Sequence, residues 1–319
     1  MVNNVSKKII YVTGCLGFIG HVVAHRCLMN GHYVIGVDKE TYAANLNILS
    51  ALKKFNQFKY IKSDINDLEF LYDCDYIINT AAETHVDNSI VDSDAFIHSN
   101  IDGVHHILKL IREKHHFKMP TLIHFSTDEV YGDIEVGSHV ETDLLKPSNP
   151  YSATKAAADM LVLAWARTYN IPYVIVRPTN NYGMGQYVEK LIPKTCKYLS
   201  LGRKIPLHQS GTPRRTWLHV DDTAEAILSV IQSNVKNEIY NISGNYEDSN
   251  ISVVQKIIKC FHDTEAFEQY VDLTYTRQGQ DVRYSIDDSK LKQLGWKPET
   301  VFDQRLPSIV GYYKDNFIW

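Results

Sequence analysis

The sequence predicts an α/β fold in which a doubly wound parallel sheet carries a smaller C-terminal lobe. Short apolar runs alternate with helical stretches through the first half of the chain, the pattern of a parallel sheet with helices on both faces. A glycine-rich turn, Gly14-Cys15-Leu16-Gly17-Phe18-Ile19-Gly20, sits directly between the first such run and the first helical stretch. The chain of 319 residues, 44% hydrophobic, is long enough for one large domain or two moderate ones. A net charge of −4 gives no whole-chain electrostatic case for nucleic acid or an anionic membrane surface.

Taken in order, Lys8 to Thr13 reads as a buried parallel strand, followed by the glycine turn and a helix to about Asn30. Glycines at 14, 17 and 20 suit a backbone that approaches a pyrophosphate, with Phe18, Ile19 and Gly20 opening a helix whose free N–H groups face that anion. A second strand, His32 to Val37, ends in Asp38. This acid lies about 20 residues beyond the turn, where it accepts hydrogen bonds from an adenosine ribose and repels a ribose phosphate, which favours NAD over NADP. A helical stretch follows Tyr42. The strand Phe58 to Lys62 leads to Asp64 and Ile65, suited to an adenine edge, and the strand Tyr76 to Asn79 leads to Ala81 and Ala82, small enough for a cofactor to lie against the backbone. A long helix is expected from Asp94 to His116.

The strand Thr121 to Phe125 then delivers Thr127, Asp128 and Glu129 side by side. Ligands of open α/β sheets bind beyond the carboxyl ends of the strands, and adjacent acids there suit a pair acting on bound substrate. Pro150 opens a helix to about Tyr169 that carries Tyr151 and Lys155 four residues apart, on one face. A phenol titrates near pH ~10, and a nearby ammonium together with a cationic nicotinamide favours its ionised form. Tyr151 is thus a candidate base for a sugar hydroxyl. The YxxxK spacing alone is common; its position 23 residues after Asp128, behind a dinucleotide turn, is far more specific.

After the strand Tyr173 to Arg177 the chain becomes rich in loops carrying Asn, Lys and Arg, which suit a diphosphate. Residues 1–177 are expected to form the dinucleotide-binding domain, with 206–237 returning to it, and 178–205 and 238–319 to build the smaller lobe. Cys15, Cys27, Cys74, Cys196 and Cys260 are scattered without CxxC spacing, which points away from a zinc site or a disulfide framework and toward a reducing compartment. No signal-peptide core and no membrane-spanning run is visible, so a cytoplasmic protein is expected.

These residues together resemble the extended short-chain dehydrogenase/reductase family and, more narrowly, its nucleoside-diphosphate-hexose 4,6-dehydratases. The resemblance spans almost the whole chain. It is carried by STDEVYG from Ser126, AAETHVDNSI from Ala81, TYAANL from Thr41, NNYG from Asn180, EKLIP from Glu189 and RQGQDVRY from Arg277. It implies a Rossmann-like NAD domain, a nucleotide-sugar-binding lobe and a homodimer pairing two helices from each subunit. It also implies a mechanism. Tyr151 takes the carbon-4 hydroxyl proton while NAD takes the hydride, Thr127 bonds the sugar near that oxygen, and Lys155 tunes Tyr151 and holds the nicotinamide ribose. Glu129 then removes the carbon-5 proton, Asp128 protonates the departing carbon-6 hydroxyl, and the hydride returns to carbon 6 and a proton to carbon 5. By motif matching, Thr84, Asn180, Lys190, Leu191, Pro206, His208, Arg215, Asn250 and Arg277 should line the substrate site.

The chain departs from the dTDP-glucose members where Asn88 replaces Arg, His208 replaces a base-stacking Tyr, and Gly279-Gln280-Asp281 replaces GHD; the segment from Gly132 to Tyr151 is also short. The first three changes leave dTDP-glucose, UDP-glucose and UDP-N-acetylglucosamine open as substrates, and retention or inversion at carbon 5 stays open too. The alternatives are a 4-epimerase or decarboxylase of the same superfamily, which does not need both acids, and a non-catalytic NAD-binding protein, which would tolerate loss of Tyr151 or Lys155.

Overall fold

The computed structural model describes residues 6–113, 118–276 and 281–316. The first half alternates as expected: β1 (Ile9–Thr13), α1 (Phe18–Met29), β2 (Tyr33–Asp38), α2 (Leu46–Leu52), β3 (Phe58–Lys62) and β4 (Tyr76–Asn79). Next come α3 (Val86–Val91), α4 (Asp94–Phe96), α5 (Gly103–Glu113), β5 (Thr121–Phe125), α6 (Pro150–Tyr169) and β6 (Tyr173–Pro178). The second half contributes β7 (Asn180–Tyr182), α7 (Leu191–Ser200), β8 (Ile205–Pro206), β9 (Arg214–His219), α8 (Val220–Ser233), β10 (Glu238–Ile242), β11 (Tyr246–Ser249), α9 (Asn250–His262), β12 (Val271–Asp272), α10 (Ser289–Lys292) and α11 (Phe302–Asp315).

Seven strands form one parallel sheet in the order β10-β6-β5-β4-β1-β2-β3. Both faces are covered, so its strands are apolar on both sides. On β1, Ile10 and Val12 enter a core shared with α1 and α8, while Tyr11 points into a second core with α5 and α6. A third core joins α7, α9 and α11 with Tyr182 and Trp217, beneath a three-stranded sheet of order β11-β9-β7.

Two expectations change. β10 pairs with β6 in the large sheet, while β8 and β9 pair with strands of the second half. The segment that returns to the large sheet is therefore α8 and β10, residues 220–242, rather than 206–237. Its strand is short, begins with Glu238 and contains Asn241, so its apolar pattern is weak. The helix expected from Asp94 to His116 is interrupted by a π-helical segment, Ile97–Asp102, and its last residues lie outside the described ones. Such wide turns often serve a site. Here the segment presents Asn100, which exchanges bonds with the Glu83 backbone (2.9 and 3.0 Å) and donates to Thr154 Oγ1 at 2.9 Å. The loop after β4 is thereby tied to α6. Among the described residues no helix is long and apolar enough to cross a membrane.

Candidate active site

A cleft of about 300 Å³ opens at the carboxyl ends of the sheet strands. That size falls within the range of small-molecule sites. Its lining includes Gly14, Gly17, Phe18, Ile19, Gly20, Asp38, Asp64, Ile65, Ala81, Ala82, Thr84, Thr127, Asp128, Glu129, Tyr151, Asn180 and Lys190. Leu191, Pro206, His208, Arg215 and Asn250 lie outside that lining, on the smaller lobe, and Arg277 lies outside the described residues.

The glycine turn is held by contacts that admit no side chain. Gly14 has φ +68°, and a Cβ there would meet Ala81 N at 2.8 Å; a Cβ on Gly20 would meet Gly14 O at 2.1 Å. Gly17 caps α1 without a side-chain bond, so the helix opens bare toward the cleft. Asp38 Oδ2 accepts from Leu16 N at 2.9 Å and its Oδ1 from Glu40 N at 2.8 Å. These bonds fix the carboxylate and leave lone pairs on both oxygens for a ligand. Lys39 is engaged by Asp64 at 3.2 Å and by Ser99. The pocket end thus keeps an acidic floor, and this chemistry fits a dinucleotide with an unphosphorylated adenosine ribose.

At the end of β5, Thr127 starts a short 3₁₀ turn, Asp128–Tyr131, which Gly132 closes at φ +80°. The Thr127 hydroxyl accepts from Glu129 N at 3.3 Å and donates to Asp128 Oδ1 at 3.1 Å. Asp128 is 3% exposed and its Oδ2 has no partner. Burial, reinforced by the Glu129 charge, pushes its carboxyl up to about 7, against the pull of Arg215. Glu129 Oε2 receives Asn149 Nδ2 at 3.3 Å and lies 3.4 Å from the Tyr284 hydroxyl. Two adjacent carboxyls therefore sit in unlike surroundings, which is how one fold separates an acid from a base.

Tyr151 is buried, and burial followed by the Glu129 charge pushes its hydroxyl up, while Thr127 pulls it down. Lys155 does not line the cleft: its Nζ donates to the Phe125 carbonyl at 2.6 Å, and burial lowers the ammonium to about 8.

The small lobe reaches the acids through residues that sequence reasoning left aside or assigned differently. Arg215, on β9, lies over the Tyr284 ring at 4.2 Å and acts electrostatically on Asp128. The Tyr284 hydroxyl also bonds the Asp281 carboxylate, which Ser148 reaches as well. Tyr284 closes the stretch RQGQDVRY, where attention to the arginines hid the aromatic. Across the cleft mouth, Lys190 Nζ donates to Thr84 O (2.9 Å) and Oγ1 (3.1 Å), and the Tyr42 hydroxyl to Glu189 Oε2 (3.1 Å). His208 Nε2 stands 3.9 Å from Asp87 Oδ2. Among the described residues no group of ligating side chains could hold a metal ion.

A parallel sheet with a bare glycine turn, and two acids and a Tyr/Lys helix at its carboxyl edge, is the arrangement of a nucleotide-sugar dehydratase or epimerase. The family described as GDP-mannose 4,6 dehydratase matches residues 11–308, and the chain belongs to that family. It is 37% identical to a dTDP-glucose 4,6-dehydratase of Escherichia coli, over 97% of this chain and 94% of that one. It is 39% identical to a trifunctional UDP-glucose 4,6-dehydratase of Arabidopsis thaliana, over 98% of this chain but only 48% of the larger protein. The crystal structure of a dTDP-glucose 4,6-dehydratase from Streptomyces venezuelae with NAD bound superposes with a TM-score of 0.90 at 34% identity, covering 97% of each chain. A UDP-glucuronic acid 4-epimerase from Bacillus cereus shares the fold, at a TM-score of 0.88 and 24% identity over 96% of this chain and 99% of that one.

Proposed function

We propose that this chain is an NAD-dependent nucleotide-sugar 4,6-dehydratase, converting an NDP-hexose to the 4-keto-6-deoxy sugar and water. The observation that carries the reading is Asp128, buried beside Glu129 with one oxygen unpartnered and its carboxyl near 7. An epimerase needs no proton donor for a leaving hydroxyl, so the acid pair favours elimination over the rival reaction.

Gly14, Gly17, Phe18, Ile19 and Gly20 hold the cofactor's pyrophosphate, Asp38 its ribose, Asp64 and Ile65 its adenine, and Ala81 and Ala82 lie against it. When bound, NAD supplies reversible hydride transfer, from carbon 4 and back to carbon 6. The remaining work falls to side chains. Tyr151 takes the carbon-4 hydroxyl proton, with Thr127 bonded near the same oxygen and Lys155 supporting the phenolate from below. The resulting 4-ketone acidifies the carbon-5 proton, which Glu129 removes as general base. Asp128, its carboxyl raised by burial and by the Glu129 charge, hands a proton to the carbon-6 hydroxyl, which departs as water; a proton then returns to carbon 5 as carbon 6 receives the hydride. Thr84, Asn180 and Lys190 meet the substrate in the cleft; Leu191, Pro206, His208, Arg215, Asn250 and Arg277 belong to the nucleotide-diphosphate end.

The lobes divide this work: the seven-stranded unit holds NAD, and the unit around β7, β9, β11, α7, α9 and α11 holds the nucleotide sugar. The enzyme works as a homodimer in the cytoplasm. The test is incubation with dTDP-glucose, UDP-glucose and UDP-N-acetylglucosamine separately, followed by mass spectrometry for loss of water. Loss from one donor supports the reading and identifies base and sugar together; no loss from any, with NAD retained, favours the epimerase.

A further inference from the structure

A row of polar side chains crosses the apolar sheet at the ends of its central strands. Thr13 on β1, Asn79 on β4 and His124 on β5 are register neighbours. The Thr13 hydroxyl donates to Asn79 Oδ1 at 2.6 Å, and Asn79 Nδ2 lies 3.3 Å from His124 Nδ1. With the amide donating, the His124 ring hydrogen sits on Nε2, which faces Asp159 Oδ1 at 3.7 Å. Asp159, on α6, clamps the neighbouring strands: its Oδ2 accepts from Ser126 Oγ and Arg177 Nε, each at 3.0 Å, and forms an ion pair with Arg177 Nη2 at 3.0 Å. Thr13, Asn79, His124, Asp159 and Arg177 are each at most 2% exposed. Apolar residues of similar volume would hold a sheet at least as well as a buried ionic cluster, so stability alone does not account for this one.

Lys155 is where the row meets the site. It lies one helical turn before Asp159 and one after Tyr151, and the Phe125 carbonyl to which it donates belongs to the peptide that joins Phe125 to Ser126. Asp159 faces it from its own helix and His124 from β5, with Arg177 of β6 paired to Asp159; Tyr151 lies toward the cleft, with Asp128 and Glu129 beyond it. Burial, with Lys155 and Arg177 nearby, holds His124 well below its ordinary range, so it is neutral and adds no third cation. Burial pushes the Asp159 carboxyl up, against the combined pull of Arg177, Ser126 and Lys155.

We propose that Asp159 is a positioning residue for the reaction: clamped by Ser126 and Arg177, it fixes the end of β5 on which the Lys155 ammonium rests and supplies the negative charge that faces it beneath Tyr151. This rests on the dehydratase reading of the site. Burial lowers the Lys155 ammonium and Asp159 raises it, to a balance of about 8. Without that carboxylate nothing offsets burial, and the Lys155 ammonium loses its proton more readily.

Asp159→Asn keeps the shape and an acceptor while removing the charge. NMR titration of protein labelled with ¹³C at lysine Cε reads the Lys155 amine without turnover, its resonance identified by its loss in Lys155→Arg. The expected result is a fall of about one pH unit or more in the Lys155 midpoint. The alkaline limb of kcat moves down with it, while KM changes little. Asp159→Glu restores the charge, and there the Lys155 midpoint returns toward that of the unaltered enzyme. General loosening of the fold does not separate the two variants in this way. An unchanged midpoint in folded Asp159→Asn, or a midpoint in folded Asp159→Glu as low as in Asp159→Asn, overturns the proposal. Absence of water loss by the unaltered enzyme overturns the dehydratase reading instead and leaves the titration standing.

Discussion

Replacing Asp128 by Asn should strengthen the fold and disable the reaction, and the gain should depend on pH. A carboxyl raised from its ordinary 3.8 to about 7 keeps its proton in the native state after the unfolded chain has released it. Native stability therefore falls as pH climbs from about 4 to 7 and stays reduced above that. At ~1.36 kcal/mol for each pH unit the penalty reaches roughly 4 kcal/mol. Asn has no proton to lose. Its Oδ1 still accepts from Thr127, and its Nδ2 replaces an oxygen that has no partner, beside the Glu129 carboxylate. The variant should unfold with the wild type at pH 4 but up to roughly 4 kcal/mol later at pH 8, a shift of about 6 °C in melting temperature for a chain of this size. Its water-loss rate should fall about 10²–10⁴-fold, the usual worth of a positioned acid. Calorimetry from pH 4 to 8, paired with the mass-spectrometric assay, measures both. Equal pH dependence of stability in the two proteins would refute the burial argument, and undiminished water loss would remove Asp128 from its role.

Tyr151→Phe should abolish the first hydride transfer with little loss of NAD binding; cofactor reduction on mixing with substrate, read by absorbance, checks it. Gly20→Ala places a Cβ 2.1 Å from Gly14 O, so the turn must open and NAD retention through gel filtration should be lost. Tyr313→Phe deletes a buried hydroxyl that accepts from Gln186 N at 2.7 Å and reaches Gly183 O at 2.8 Å. Leaving those groups unpaired costs about 1–3 kcal/mol, and KM for the nucleotide sugar should rise because Gln186, Tyr187, Glu189 and Lys190 line the cleft. Asp128→Asn combined with Glu129→Gln should still oxidise carbon 4 but release no water, which trapping of the keto sugar would reveal.

The central strands were legible because each is an apolar run bounded by clear punctuation. Tyr76–Asn79 and Thr121–Phe125 begin and end where the residue pattern places them, as does the edge strand Phe58–Lys62. Helix α6 was legible for a local reason: Asn149 and Ser152 form a capping box, with Pro150 at the first turn. β10 was not, since five residues with Glu and Asn among them carry too little pattern to say which sheet they join. The π-helical turn around Asn100 leaves no trace in apolar spacing. The acids and the glycine turn could be found because each is continuous in sequence. The contact between Arg215 and Tyr284, by contrast, is made by segments far apart in the chain, and the chain pattern says nothing about which ring a guanidinium will meet. Lys155 shows the limit of a spacing argument: four residues put it on the face of Tyr151, but burial and the Phe125 carbonyl decide its charge and its direction.

The central claim is that one site oxidises carbon 4, expels water across carbons 5 and 6, and restores hydrogen at carbon 6. It is tested most directly with the accepted NDP-hexose carrying deuterium at carbon 4. The account predicts a product lighter by water, with the deuterium recovered in the new carbon-6 methyl group. Deuterium retained at carbon 4 in a product of unchanged mass and inverted configuration would contradict it and identify an epimerase.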